Sequence, residues 1–181
     1  MIWRTLFYVL GTVGGLGICI LLLPSRLPGT TLVGYGTNWL LIWLVGWSLH
    51  RPVPIAVGAG ICLGLLQDSL VLPPDAGIFP SHSLGLALSG GLTAMLQKQR
   101  YMQEDFISVA LIVFGMAVIT ETVNALQRSF IGMEVVQVWS DHQRIALSSA
   151  VLTSLWSPAC YFPLSQLRHW FYRSTKKLTQ N

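Results

Sequence analysis

Six long apolar runs constrain this chain more than any other feature of its sequence. Short polar or Pro-containing segments separate the runs, which together occupy most of the 181 residues. A bilayer core of about 30 Å is crossed by a helix of about 20 apolar residues. The sequence therefore predicts an all-α polytopic membrane protein with about six transmembrane helices. The predicted spans are Thr5–Leu23, Leu32–Leu49, Val53–Leu72, Ile78–Leu96, Phe106–Leu126 and Ile145–Leu164.

The composition leaves little chain for a soluble catalytic domain. Charged residues make up 10% of the sequence, against about 25% in typical soluble domains. The three cysteines lie in separate apolar runs, and the four histidines lie in four separate boundary segments. No phosphate-binding loop, nucleophile motif or metal-ligand spacing is present. We expect one integral membrane domain, 1–181, without enzymatic activity, cofactor or metal.

Basic residues indicate the orientation of the chain, because they concentrate on the cytoplasmic side of membranes. With both termini in the cytoplasm, 8 of the 11 Lys and Arg residues are cytoplasmic and 3 are external. The net charge of +4 is then better explained by anionic lipid than by nucleic acid. The longest predicted loop, Gln127–Arg144, is external. The tail, 166–181, is predicted to anchor to the membrane or to dock a cytoplasmic protein, through Arg168, Trp170, Arg173, Lys176 and Lys177.

Asp68 is an acidic residue inside the third apolar run. A carboxylate at membrane depth disfavours insertion by roughly 2.5–3.5 kcal/mol at a helix centre, so a polar contact or a functional site is expected around it. Gly60, Gly64 and Asp68 recur every fourth residue and share one helix face. Small residues at this spacing let another helix approach closely. The pattern predicts a helix-packing or partner-binding face.

A second acidic residue, Glu121, lies at a depth similar to that of Asp68. Two arginines of the predicted external loop are the nearest candidate cations. The expected polar cluster consists of Gln67, Asp68, Glu121, Gln127, Arg128 and Arg144. Three interpretations remain open at this point: an internal salt bridge that fixes helix packing, a contact with a partner protein, or an ion or substrate site.

An aromatic stripe marks the second apolar run. Trp39, Trp43 and Trp47 recur every fourth residue. Trp normally concentrates at membrane interfaces, so Trp43 near the middle of the span is less usual. The stripe predicts either packing against lipid or core, or a flat docking face for another membrane protein.

Taken in order, these residues resemble the MreD family of bacterial rod shape-determining proteins. The family pattern is an Asn- or Asp-led apolar span, a basic-Pro turn, and a span ending in Gly-Leu-Leu-x-Asp with a glycine after it. The matching segments are 38–49, 50–52, 64–68 and 84–86. Thr37 stands where the family often has proline. The stretch after Asp68 is longer than usual, so either Gly77 or Gly85 corresponds to the family glycine.

The resemblance implies a scaffold of the cell-elongation complex in the bacterial inner membrane, where it takes part in lateral peptidoglycan synthesis and cell shape. The implied partners are MreC, the actin-like MreB, the glycosyltransferase RodA and a class B penicillin-binding protein. The implied fold is similar to that of the substrate-binding subunits of energy-coupling-factor transporters. That likeness leaves one alternative, a substrate-binding subunit of a small-molecule transporter of this type.

Overall fold

The computed structural model describes residues 2–23, 31–32, 35–71, 81–98, 106–132 and 135–178. Within these residues the chain forms six helices and one short antiparallel hairpin, which pairs Thr31 with Gly36 and Leu32 with Tyr35. The elements are α1 Ile2–Leu22, β1 Thr31–Leu32, β2 Tyr35–Gly36, α2 Trp39–Ser48, α3 Val53–Val71, α4 His82–Lys98, α5 Phe106–Phe130 and α6 Val135–Leu178.

Six helices were predicted and six are found in the described parts of the chain, but they differ in length. Of the described segments, three are long and apolar enough to cross a membrane: Val53–Val71, Ile107–Phe130 and Val136–Pro163. α4 begins at His82, later than the predicted Ile78, and residues 72–80 lie outside the described part of the chain. The firm run from Leu84 is helical throughout.

The second predicted span, Leu32–Leu49, is too long. α2 has only 10 residues, or about 15 Å of helix, which is about half of a bilayer core. It begins at Trp39 because the Asn38 side chain accepts a hydrogen bond from the Leu41 N–H, at 3.1 Å, and so caps the helix. The Asn38 N–H in turn donates to Thr153 Oγ1 on α6 at 3.2 Å.

The prediction that Gln127–Arg144 forms one long loop is also wrong. α5 continues to Phe130 and α6 begins at Val135, so most of that segment is helical. α5 ends where Gly132 adopts a φ of +89°, a left-handed conformation that glycine takes without strain. The Ile131 N–H donates to the Gln127 carbonyl oxygen at 3.2 Å, which closes the helix end.

α6 is much longer than the predicted span Ile145–Leu164. It runs for 44 residues, through Pro158 and Pro163, as far as Leu178. The predicted tail is therefore helical over most of its length, and residues 179–181 lie outside the described part. The side chains of Arg168, Trp170, Arg173, Lys176 and Lys177 also fall outside what the structure describes.

The core surrounds α2, which packs against the other five helices. Leu40, Leu41, Leu44 and Val45 are completely buried. A helix that is apolar on every side must be enclosed by protein or by lipid, and here protein encloses it. This position explains why a hydropathy pattern could not separate α2 from a full membrane span.

Candidate functional site

Asp68 lies near the end of α3, where its carboxylate holds the start of α4. Its Oδ2 accepts a hydrogen bond from Ser81 Oγ at 2.6 Å, and its Oδ1 accepts one from the His82 N–H at 3.0 Å. His82 Nδ1 lies 2.6 Å from the same Oδ1. The first N–H groups of a helix have no partner within the helix and carry a positive partial charge, so a carboxylate stabilises them.

Ser81 also connects the site to α5. The Ser81 N–H donates to Gln127 Oε1 at 2.9 Å, and Gln127 Nε2 donates to the Ser81 carbonyl oxygen at 3.0 Å. Ser81 is 4% exposed and Gln127 is 9% exposed, so both bonds are shielded from solvent. One residue between α3 and α4 is therefore fixed by side chains of α3 and α5. We call Asp68, Ser81, His82 and Gln127 the polar clamp.

Beside the polar clamp lies a second polar group, between α5 and α6. Glu121, Asn124, Arg128, Val138 and His142 belong to the lining of a pocket there, with a cavity volume of about 10 Å³. Glu121 lies close to Asn124 and within range of the charges of His82 and Arg128. His142 Nε2 lies 3.4 Å from Thr122 Oγ1. His82 links the two polar groups, because its ring contacts Asp68 and its charge, when it is protonated, is felt by Glu121.

The structure brings together part of the predicted polar cluster. Asp68 meets Gln127 through Ser81, and Glu121 lies near Arg128. Gln67 is buried at 8% exposure, and within the described chain its Oε1 has no hydrogen-bond partner. Arg144 is exposed.

The predicted ion pair needs a correction. The cation beside Asp68 is the imidazole of His82 when protonated, and among the described side chains neither Arg128 nor Arg144 pairs with Asp68. Sequence reasoning missed Ser81 and His82 as members of the site. The available signal was the Ser-His-Ser segment directly before an apolar run, since serine is a preferred residue at helix N-termini.

The predicted face of Gly60, Gly64 and Asp68 packs within the chain, against α4. A Cβ added at Gly60 would lie 2.5 Å from the Leu86 carbonyl oxygen, and one at Gly64 would overlap backbone atoms of Ser83. The small side chains thus allow the close approach that lets Asp68 reach the start of α4. The structure uses this face for internal packing.

The predicted tryptophan stripe is mostly internal too, which corrects its interpretation as an open docking face. Trp39 and Trp43 are 4% and 6% exposed. Trp39 packs against Trp156 of α6, with ring centroids 5.6 Å apart. Trp47 is half-buried, stacks on Trp43 at 5.7 Å and lies beneath the Arg51 guanidinium at 5.0 Å. Of the three rings, only that of Trp47 retains substantial exposure.

The polar clamp does not have the geometry of a catalytic triad. Such a triad needs an imidazole nitrogen on the serine hydroxyl and the carboxylate on the other nitrogen. Here Ser81 and His82 both bind the Asp68 carboxylate, so the carboxylate lies between them. Among the described residues, no group of three His, Cys, Asp or Glu side chains could hold a metal ion. The arrangement fixes three helices relative to one another.

Comparison with known proteins identifies the family. The family described as rod shape-determining protein MreD matches residues 4–164 of the 181-residue chain. No curated protein and no solved structure gives a match, so a likeness to the energy-coupling-factor subunit fold is not confirmed. The matched region begins within α1, ends within α6 and contains the whole polar clamp. With its apolar helices, the chain is a membrane protein, and it belongs to the MreD family of rod shape-determining proteins.

Proposed function

We propose that this chain is a non-enzymatic membrane scaffold of the cell-elongation complex, which binds MreC and helps to organise lateral peptidoglycan synthesis. The observation that carries the proposal is the family match over residues 4–164, which gives the chain a role in rod shape determination. MreB, RodA and a class B penicillin-binding protein are the further proposed partners.

The geometry of the polar clamp supports a scaffold. The side chains of Asp68 and Gln127 bind groups at the start of α4 and so hold α3, α4 and α5 in one arrangement. Hydrogen bonds between membrane helices add stability and fix their orientation. The clamp therefore keeps these helices in fixed positions relative to one another, and a partner that binds across two of them needs those positions to be fixed.

The alternative of a small-molecule transport subunit gains no support from the pocket. Its cavity volume is about 10 Å³, whereas small-molecule sites typically measure about 300–1,000 Å³. The cavity holds about one water molecule. No observation on the described residues favours a vitamin-sized ligand.

We place the protein in the bacterial cytoplasmic membrane with both termini in the cytoplasm. Three apolar helices support the membrane location, and the distribution of Lys and Arg supports the orientation. With this orientation the polar clamp lies towards the external side, since α3 follows a cytoplasmic turn at Arg51.

We expect MreC to bind one of the outer surfaces of the helices. Three glycines offer equivalent probes, because a Cβ added at Gly14 of α1, Gly58 of α3 or Gly115 of α5 meets nothing within 4 Å. Because the first atom of a new side chain meets no neighbour at these positions, we expect leucine there to add bulk outside the packed core. The three variants therefore serve as controls for one another.

The test is a pull-down of the tagged full chain at native expression in mild detergent, read by mass spectrometry. We expect wild type to recover MreC and wall synthases, and one of Gly14→Leu, Gly58→Leu and Gly115→Leu to lose MreC with normal membrane insertion. Failure of wild type to recover any of these partners would reject the proposal. Recovery of a membrane coupling protein with paired ATPases would instead identify a transporter subunit.

A further inference from the structure

The pocket between α5 and α6 contains a buried acceptor that lacks a donor. Asn124 is 5% exposed, and no group in the described part of the chain donates a hydrogen bond to its Oδ1. Leaving a buried acceptor unpaired costs free energy. Asn124 borders the pocket, so a donor that enters the pocket comes close to this amide.

The lining of the pocket carries one acidic and one basic side chain. Glu121 supplies the carboxyl group and Arg128 the guanidinium. Asp68 is not part of this lining, and its carboxylate lies against His82. One charge of each sign suits a zwitterionic ligand, whose cation meets Glu121.

The size of the cavity limits that cation to a small one. The volume of about 10 Å³ accepts a group of the size of a water molecule, which a primary ammonium group matches and a trimethylammonium group exceeds. Glu121 and Asn124 supply acceptors for its N–H groups. Arg128 lies in the same lining and suits a phosphate next to the ammonium.

The position of the pocket connects these features to lipid. It lies in the last turns of α5 and the first turns of α6, at the end of two segments that are long and apolar enough to span a membrane. Phe130 and Val136 beside the turn are 88% and 84% exposed, and Trp139 is 38% exposed. Exposed apolar and Trp side chains at a helix end are typical of the membrane interface.

We infer that the pocket lined by Glu121, Asn124, Arg128 and His142 binds the headgroup of an aminophospholipid. The primary ammonium enters the cavity between Glu121 and Asn124, and the phosphate contacts Arg128 at its mouth. The acyl chains lie along the exposed apolar surface of α5 and α6. This site is independent of the proposed binding of MreC.

The test uses the purified full chain, delipidated in detergent and mixed with defined lipids, with bound lipid measured by native mass spectrometry. Phosphatidylethanolamine is compared with its N-methyl and N,N-dimethyl forms, with phosphatidylcholine and with phosphatidylglycerol. We expect the amount of lipid retained by the protein to fall with each added methyl group, by about tenfold from phosphatidylethanolamine to phosphatidylcholine. Ethanolamine phosphate without acyl chains should compete weakly, because a headgroup alone lacks the apolar contacts.

The variant Glu121→Gln should reduce phosphatidylethanolamine retention to the level of phosphatidylcholine. Asp141→Asn is the matched control, since Asp141 is an exposed acid on the same part of α6 and does not border the pocket. Its lipid retention should equal that of wild type. Three results would each overturn the inference: equal binding of all the lipids, tighter binding of phosphatidylglycerol, or competition by free ethanolamine phosphate at the same concentration as the lipid. The lipid series on wild type decides the question even if Glu121→Gln fails to fold.

Discussion

Gly60→Ala should destabilise the protein, although alanine is the better helix former. In an isolated helix this change stabilises by about 1 kcal/mol. Here the added Cβ would lie 2.5 Å from the Leu86 carbonyl oxygen and 2.6 Å from Ala87 Cα. Both are backbone atoms of α4, which cannot rotate aside as a side chain can.

The size of the effect follows from this geometry. Ordinary contact begins at 3.4 Å, so α4 would have to retreat by about 1 Å, a displacement in the range in which overpacking costs about 1–3 kcal/mol. The gain in helix propensity of about 1 kcal/mol offsets part of this cost. We therefore expect a net loss of about 1 kcal/mol, which corresponds to a fall in Tm of about 2–4 °C for a chain of this length. The retreat would also stretch the contacts of Asp68 at the start of α4.

The assay is thermal denaturation of purified protein in one detergent, with the folded fraction measured by size-exclusion chromatography after heating. Gly58→Ala is the control, because it makes the same chemical change on the same helix and its Cβ meets nothing within 4 Å. Its Tm should equal or slightly exceed that of wild type. A Gly60→Ala protein as stable as the Gly58→Ala protein would refute the close packing of α3 on α4.

Four further variants test the clamp and the core in the same assay. Asp68→Leu should lower the free energy of unfolding by about 2–3 kcal/mol and Asp68→Asn by about 1 kcal/mol, because Asn keeps an acceptor for the His82 N–H. Equal losses in the two variants would contradict the capping role of Asp68. Gln127→Leu removes both bonds to the Ser81 backbone and should cost about 1–3 kcal/mol, with faster hydrogen exchange at the Ser81 amide as the specific sign. Trp39→Ala should cost about 3–5 kcal/mol; loss of MreC with unchanged stability would instead restore the docking interpretation of Trp39.

The apolar runs predicted α1, α3 and α5 closely because each is a continuous helix of about the length of its run. The same signal failed at α2, since hydropathy does not distinguish a helix enclosed by protein from one enclosed by lipid. The start of α2 depends on the cap at Asn38 and on Thr153, which lies 115 positions away in the sequence. No local pattern contains that contact.

The candidate site was partly predictable for a related reason. Asp68 and Gln127 stand out in the sequence as polar residues within or beside apolar runs, but their partner is chosen by the tertiary fold. Ser81 and His82 lie 13 and 14 positions beyond Asp68 and meet it only because α4 folds back along α3. The loop prediction for Gln127–Arg144 failed because a polar composition does not exclude a helix: α5 continues to Phe130 and α6 begins at Val135.

The burial of α2 has a consequence for how the chain is assembled. Insertion machinery meets the chain from its N-terminus, and a 10-residue helix does not cross the bilayer alone. The surfaces that enclose α2 belong largely to α4, α5 and α6, which are synthesised later. α2 therefore reaches its final position only after α6 has been made, so an early segment of the sequence is among the last to fold. Chains that stop before α6 lack part of the surface that encloses this helix, and exposed apolar surface of this kind favours aggregation.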